Sequence, residues 1–178
     1  GSTAVVSPVI RGPYLQTGTS TSVVVRWRTS SATDTKVNYG TTTGNLTTTV
    51  SNATPVTNHE ITLSGLTPNT QYFYELADAS GVYLPEDSEM YFISSPPIGS
   101  KKFTRVWLLG DAGTSGNDTY GNDQQDVRDA YYSYVAGVST NPDKTDMMIF
   151  LGDNAYNDGT DGQYQKGLFN VYESILKK

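Results

Sequence analysis

Along the first hundred residues, apolar and polar positions alternate in short runs separated by turn-forming residues. Val23, Val25 and Trp27 alternate with Val24, Arg26 and Arg28, the period of two expected of a strand with one buried and one wet face. Further strands are predicted at 36–39, 60–63, 71–77 and 90–94, with Gly, Asn, Asp and Pro between them. This spacing predicts an all-β sandwich with Trp27 as its core aromatic.

Ser94-Ser95-Pro96-Pro97-Ile98-Gly99-Ser100 interrupts the pattern, because two prolines cannot continue a central strand and their neighbours are small or polar. The boundary is placed there, giving domains 1–98 and 102–178. Beyond it the periods change. Residues 103–109 and 147–151 are largely apolar strands, and Val127, Ala130, Tyr131, Tyr134, Val135 and Val138 fall on one helical face. Tyr164, Leu168, Val171, Tyr172, Ile175 and Leu176 predict a second amphipathic helix. The result is an α/β segment of βαβα order, with both strands apolar on both faces, as strands covered by helices on two sides are. Two strands cannot bury two helices and their own edges, so this segment is marginal alone. The expectation is a parent protein that continues past residue 178, and a segment that associates through exposed strand edges.

The candidate chemistry sits where these two strands stop. One runs Trp107-Leu108-Leu109-Gly110-Asp111 and the other Phe150-Leu151-Gly152-Asp153. In open α/β sheets ligands bind beyond the carboxyl ends of the strands. A single Gly-Asp is an ordinary turn, with glycine supplying positive φ and aspartate capping nearby amides. Two of them on neighbouring parallel strands bring two carboxylates together. Tyr156 follows Asp153 by three places; with thirteen tyrosines in the chain, only this offset gives it weight.

Two stretches carry resemblances. Leu63-Ser64-Gly65-Leu66-Thr67-Pro68-Asn69-Thr70-Gln71-Tyr72-Phe73-Tyr74 resembles the tyrosine corner of fibronectin type III-like sandwiches, in which the phenol hydrogen-bonds back to the upstream backbone. The motifs GDAG, 110–113, and GDNAY, 152–156, resemble those of the purple acid phosphatases, a branch of the calcineurin-like metallophosphoesterases with a fibronectin-like amino-terminal domain. The resemblance implies half of an αββα metallophosphoesterase sandwich after residue 102. It also implies hydrolysis of a phosphorylated small molecule or other phosphoester at a dinuclear centre of Fe(III) with Zn, Mn or Fe(II). Asp111 would bind the ferric ion, Asp153 would bridge the metals, and Tyr156 would be the phenolate on iron. Gly113 agrees with this branch, since most other members carry a histidine ligand there. The family's later motifs supply histidines, whereas this chain has one, so it is expected to be inactive by itself. Two other readings stand beside this one: a non-catalytic fibronectin-like interaction module, and another metallophosphoesterase branch such as a phosphodiesterase or nucleotide hydrolase.

Charge and composition narrow the partners. A net charge of -6, with no basic run longer than two residues, argues against nucleic acid. No apolar run reaches the ~20 residues of a membrane helix, so no membrane partner is expected. Absence of cysteine excludes disulfides and thiolate metal sites. Sequons at Asn45, Asn52 and Asn117 lean towards a secreted, extracellular or periplasmic protein, and the start, Gly1-Ser2-Thr3, without a basic leader or initiator methionine, reads as a processed or cloned start whose targeting segment, if any, was removed. Thr57-Asn58-His59-Glu60 imitates an asparagine-histidine-acid motif, but it precedes GDAG and opens a strand, so His59 is expected at a surface or strand edge. The loop from Asp153 to Gly159 fails as a calcium loop at Ala155 and at Tyr164, the closing position. Asp126, Asp158 and Asp161 are expected to be solvated or capping charges.

Overall fold

The structure, a computed structural model, describes residues 7–113, 123–138 and 145–178; the sequon at Asn117 lies outside them. The chain divides into one unit of Gly1–Lys101 with Leu176–Lys178 and a second of Lys102–Ile175.

The first unit is an antiparallel β-sandwich of β1 (Val9–Gln16), β2 (Ser22–Gly40), β3 (Thr48–Ser64), β4 (Gln71–Asp78), β5 (Gly81–Leu84) and β6 (Tyr91–Ile93). The alternation beginning at Val23 is present: Val23, Val25 and Trp27 are buried. The strands expected at 22–28 and 36–39 are one element. β2 shifts register between Arg28 and Thr35, so its first half pairs with β1 and its second with β4, while β3 pairs with both. This bend folds a single ladder round one core of Val25, Trp27, Val37, Leu63, Tyr74 and Leu76, among others. The tyrosine corner is formed, with the Thr67 amide donating to Tyr72 Oη at 2.9 Å. Trp27 Nε1 donates to Tyr83 Oη at 2.8 Å, giving the buried indole the partner it needs.

His59 departs from expectation. It is 2% exposed, stacked on Trp27 with centroids 4.6 Å apart, and each ring nitrogen lies 2.9 Å from a threonine hydroxyl, Thr29 or Thr35. The physical reason is register. Ile61 and Leu63 face inward, so position 59, two residues before, does too. Burial lowers its pKa.

The second unit contains β7 (Val106–Leu109), α1 (Asp123–Val138), β8 (Met147–Phe150), α2 (Asp161–Tyr164), a π turn over Gln165–Phe169, and α3 (Glu173–Leu176). β7 and β8 pair in parallel, Leu109 opposite Phe150. Trp107 stacks on Tyr131 of α1 at 3.8 Å and meets the Tyr172 ring edge-on. The expectation of strands covered on both faces is not met among the described residues: Trp107 and Leu109 are buried, but Leu108 is 57% exposed, with Val106, Met147 and Ile149 beside it. α1 likewise buries Val135 while Val127, Tyr134 and Val138 of its apolar face stay exposed. The second helix keeps its predicted inner residues Leu168, Val171, Tyr172 and Ile175, but it is broken by the π turn. No helix among the described residues is long and apolar enough to cross a membrane.

Candidate metal centre

The β7–β8 ladder does not stop with the strands. Leu151 donates to the Leu109 carbonyl at 2.7 Å and Asp111 to that of Gly152 at 3.2 Å, so both Gly-Asp pairs stay hydrogen-bonded side by side. At that point both chains turn. Asp111 has φ 55° and Asp153 φ 52°, the left-handed conformation that costs an L-residue energy and that aspartate tolerates better than most. Such outliers gather at functional sites, where the surrounding structure imposes them. Both carboxylates are exposed beyond the strand ends.

Tyr156 completes the group. Its hydroxyl donates to Asp111 Oδ1 and also engages Asp153. The hydrogen bond to Asp111 is the main reason that its pKa is raised, followed by desolvation and the nearby Asp153. As the chain stands, two carboxylates keep the phenol protonated; a cation between the same oxygens would reverse the balance.

The loop that carries Tyr156 is fixed at both ends. Its amide donates to the Gly113 carbonyl at 3.1 Å. Downstream, Thr160 and Gln163 form a capping box at the start of α2, Gln163 Oε1 accepting from the Thr160 amide at 2.9 Å and from Asp158 at 3.1 Å. Gly113 is obligatory for steric reasons: a Cβ there would lie 2.2 Å from Ala155 N and 2.3 Å from the Asn154 carbonyl carbon. No histidine can occupy position 113 while GDNAY holds this path. A Cβ on Gly167, in the π turn, would in turn come within 3.1 Å of the Gly113 carbonyl oxygen, so the helix break seats a glycine against a glycine.

Beside the group is a cavity of about 410 Å³ bordered by Asp111, Tyr156, Asp123, Gln124, Val127 and Tyr172. Asp123 and Gln124 were not singled out from sequence, where only their place at a helix start marks them. Gln124 is buried and donates to the Gly167 carbonyl. Asn154 Oδ1 is buried without a hydrogen-bond partner, an acceptor left over next to Asp153. Asp126, Asp158 and Asp161 are exposed.

Three anionic or ionisable oxygens converging at one point suit a hard cation, since hard metals prefer carboxylate and phenolate oxygen. They do not make a full ligand shell: among the described residues there is no cluster of three or more His, Cys, Asp or Glu. The one histidine of the chain is bonded inside the sandwich.

Residues 12–94 match the model of the purple acid phosphatase N-terminal domain. The match runs from Gly12 in β1 to Ser94 after β6, less than half of the chain, and lies within the first unit. The solved structure of PhoD aligns with 90% of this chain and 30% of its own, at TM-score 0.57 and 15% identity; at that identity the likeness is one of fold. The chain thus spans less than a third of PhoD. A human fibronectin type III domain aligns over 56% of this chain and 80% of its own, with 15% identity and TM-score 0.38. No curated protein matches the chain.

Proposed function

We propose that this chain is the amino-terminal part of a phosphoester hydrolase of the purple acid phosphatase kind, supplying Asp111, Asp153 and Tyr156 to a dinuclear metal centre. The observation that carries the proposal is the convergence of two left-handed, strand-end aspartates and one phenol over a glycine that leaves no room for a side chain. Match of the first unit to the purple acid phosphatase N-terminal domain and the PhoD-like fold support the same reading.

In this reading Asp111 and Tyr156 would hold the ferric ion and Asp153 would contribute its carboxylate to the same centre. An Fe(III) ion with Zn, Mn or Fe(II) would neutralise phosphate charge and acidify a water for in-line attack. The chain's own residues prepare for that. The parallel ladder holds the aspartates at fixed separation, the Gly113 carbonyl sets Tyr156, and the capping box anchors the loop behind it. The remaining ligands must come from elsewhere, so the isolated chain is proposed to be inactive. Its substrate class is a phosphorylated small molecule or phosphoester, a monoester in the first instance, and its location is proposed to be outside the cytoplasm.

Calorimetric titration with Fe(III) delivered from a weak chelate tests the ligand set. The wild-type chain should take up one ferric ion weakly, and Asp111→Asn with Asp153→Asn should abolish uptake. Equal uptake by the double variant would overturn the assignment, as would robust phosphatase turnover by the pure chain.

A further inference from the structure

The cavity beside Asp111 and Tyr156 has a chemistry of its own. Leu109 and Ala112, at the end of β7, border it together with Asp123 and Val127 of α1. Those two α1 residues are four apart in sequence and so share one helical face. Tyr172 also borders the cavity, and its ring meets Trp107 and Phe150 edge-on, which fixes its position. Gln124 donates to the Gly167 carbonyl and the Tyr172 hydroxyl, and so holds this wall in place.

The border combines an apolar surface with a one-sided charge. Leu109, Ala112, Val127 and Tyr172 supply the apolar part, and Val127 remains 53% exposed, uncovered by the core. The volume of about 410 Å³ lies within the ~300–1,000 Å³ of small-molecule sites, and an apolar cavity of ~150 Å³ already takes a benzene ring. The charge comes from Asp111 and Asp123; no lysine or arginine among the described residues borders the cavity. In such a cleft water screens charges less than in bulk. An anionic group entering it would be repelled by both carboxylates, whereas a neutral group would not, and an ammonium would be attracted.

We propose that this cavity receives the alcohol portion of the phosphoester, and that this portion is apolar, ring-sized and neutral or cationic. The proposal rests on the metal centre argued above: Asp111 and Tyr156 belong both to the cavity's border and to that ligand set, so a molecule in the cavity lies beside the proposed metal ligands. Asp123 acts here through its charge as a specificity-determining residue. Alcohol portions bearing further phosphates or carboxylates, nucleoside diphosphates among them, are disfavoured.

Ligand-observed NMR on the full chain with chelator present tests the cavity apart from the metal centre. Benzyl alcohol, benzylamine and benzoate put the same ring on a neutral, a cationic and an anionic group. The first two should bind and benzoate should not. Asp123→Asn should weaken benzylamine about threefold, the scale of an exposed charge pair, and leave benzyl alcohol unchanged. Val127→Asp should weaken benzyl alcohol about tenfold through lost apolar contact. Both positions are exposed on α1, circular dichroism checks that each variant folds, and a folding defect would not select between two probes by charge. Absence of binding by benzyl alcohol and benzylamine would overturn the proposal, as would benzoate binding as tightly as benzylamine or wild-type affinity for benzyl alcohol in Val127→Asp. Probe binding without ferric uptake by the same chain would instead overturn the metal reading, and with it the assignment of the cavity to a phosphoester.

Discussion

Asp111 and Asp153 have two roles at once, one in the backbone and one in the side chain, and substitution can separate them. Asparagine tolerates the left-handed conformation about as well as aspartate, so Asp153→Asn should leave thermal unfolding nearly unchanged while removing a ligand. If the residue only formed a turn, metal uptake would be unaffected. Gly113 has no such latitude. Gly113→Ala must push Asn154 and Ala155 aside and should destabilise the second unit by about 1–3 kcal/mol, the cost of overpacking, measured by urea unfolding of the full chain. His59 makes a prediction about pH. An unfolded histidine titrates at about 6.5, and the buried ring titrates lower. The unfolded chain therefore takes up a proton that the folded one refuses: this contribution to stability is complete above about pH 6.5, declines as pH falls towards the folded value, and levels off below it. Urea midpoints at about pH 7.5 and about pH 5 should differ in the wild type and differ less in His59→Gln. An unchanged difference would assign the acid sensitivity to other groups.

At the scale of elements, the tyrosine corner shows how a loop can be fixed by one bond. Tyr72→Phe leaves the Thr67 amide without its phenolic acceptor and should cost about 1–3 kcal/mol, read as a lower urea midpoint with unchanged secondary structure. The elements legible in the sequence were those with strong periodicity. Val23 to Trp27 and Gln71 to Leu76 bury alternate residues, and their pattern was sufficient. β1 was not legible, because Gly12-Pro13 and two register shifts destroy its alternation. The first half of β3 was not either: its threonines and asparagines are exposed, and it is held by backbone pairing with β2, which leaves no apolar signature. The break in the second helix depends on Gly167 meeting Gly113, a tertiary contact that no periodicity reports. The strand-end aspartates and Tyr156 were legible because repetition and offset are sequence properties; Asp123 and Gln124 reach the same cavity through the fold alone.

For the molecule as a whole, the two units differ in how well they are closed. The sandwich encloses one continuous core, whereas in the second unit Leu108, Val106, Met147 and Ile149 are exposed among the described residues. Exposed contiguous apolar surface and open strand edges favour association. Light scattering should therefore show concentration-dependent assembly, reduced in Leu108→Lys, and limited proteolysis should spare the sandwich. The central claim is that Tyr156 and the two strand-end aspartates form a hard-cation site. Its most direct test is the visible spectrum of the chain with one equivalent of Fe(III), compared with that of Tyr156→Phe. A phenolate-to-iron charge-transfer band present in the wild type and lost in the variant is the predicted result; no band, or one of equal strength in Tyr156→Phe, would contradict it.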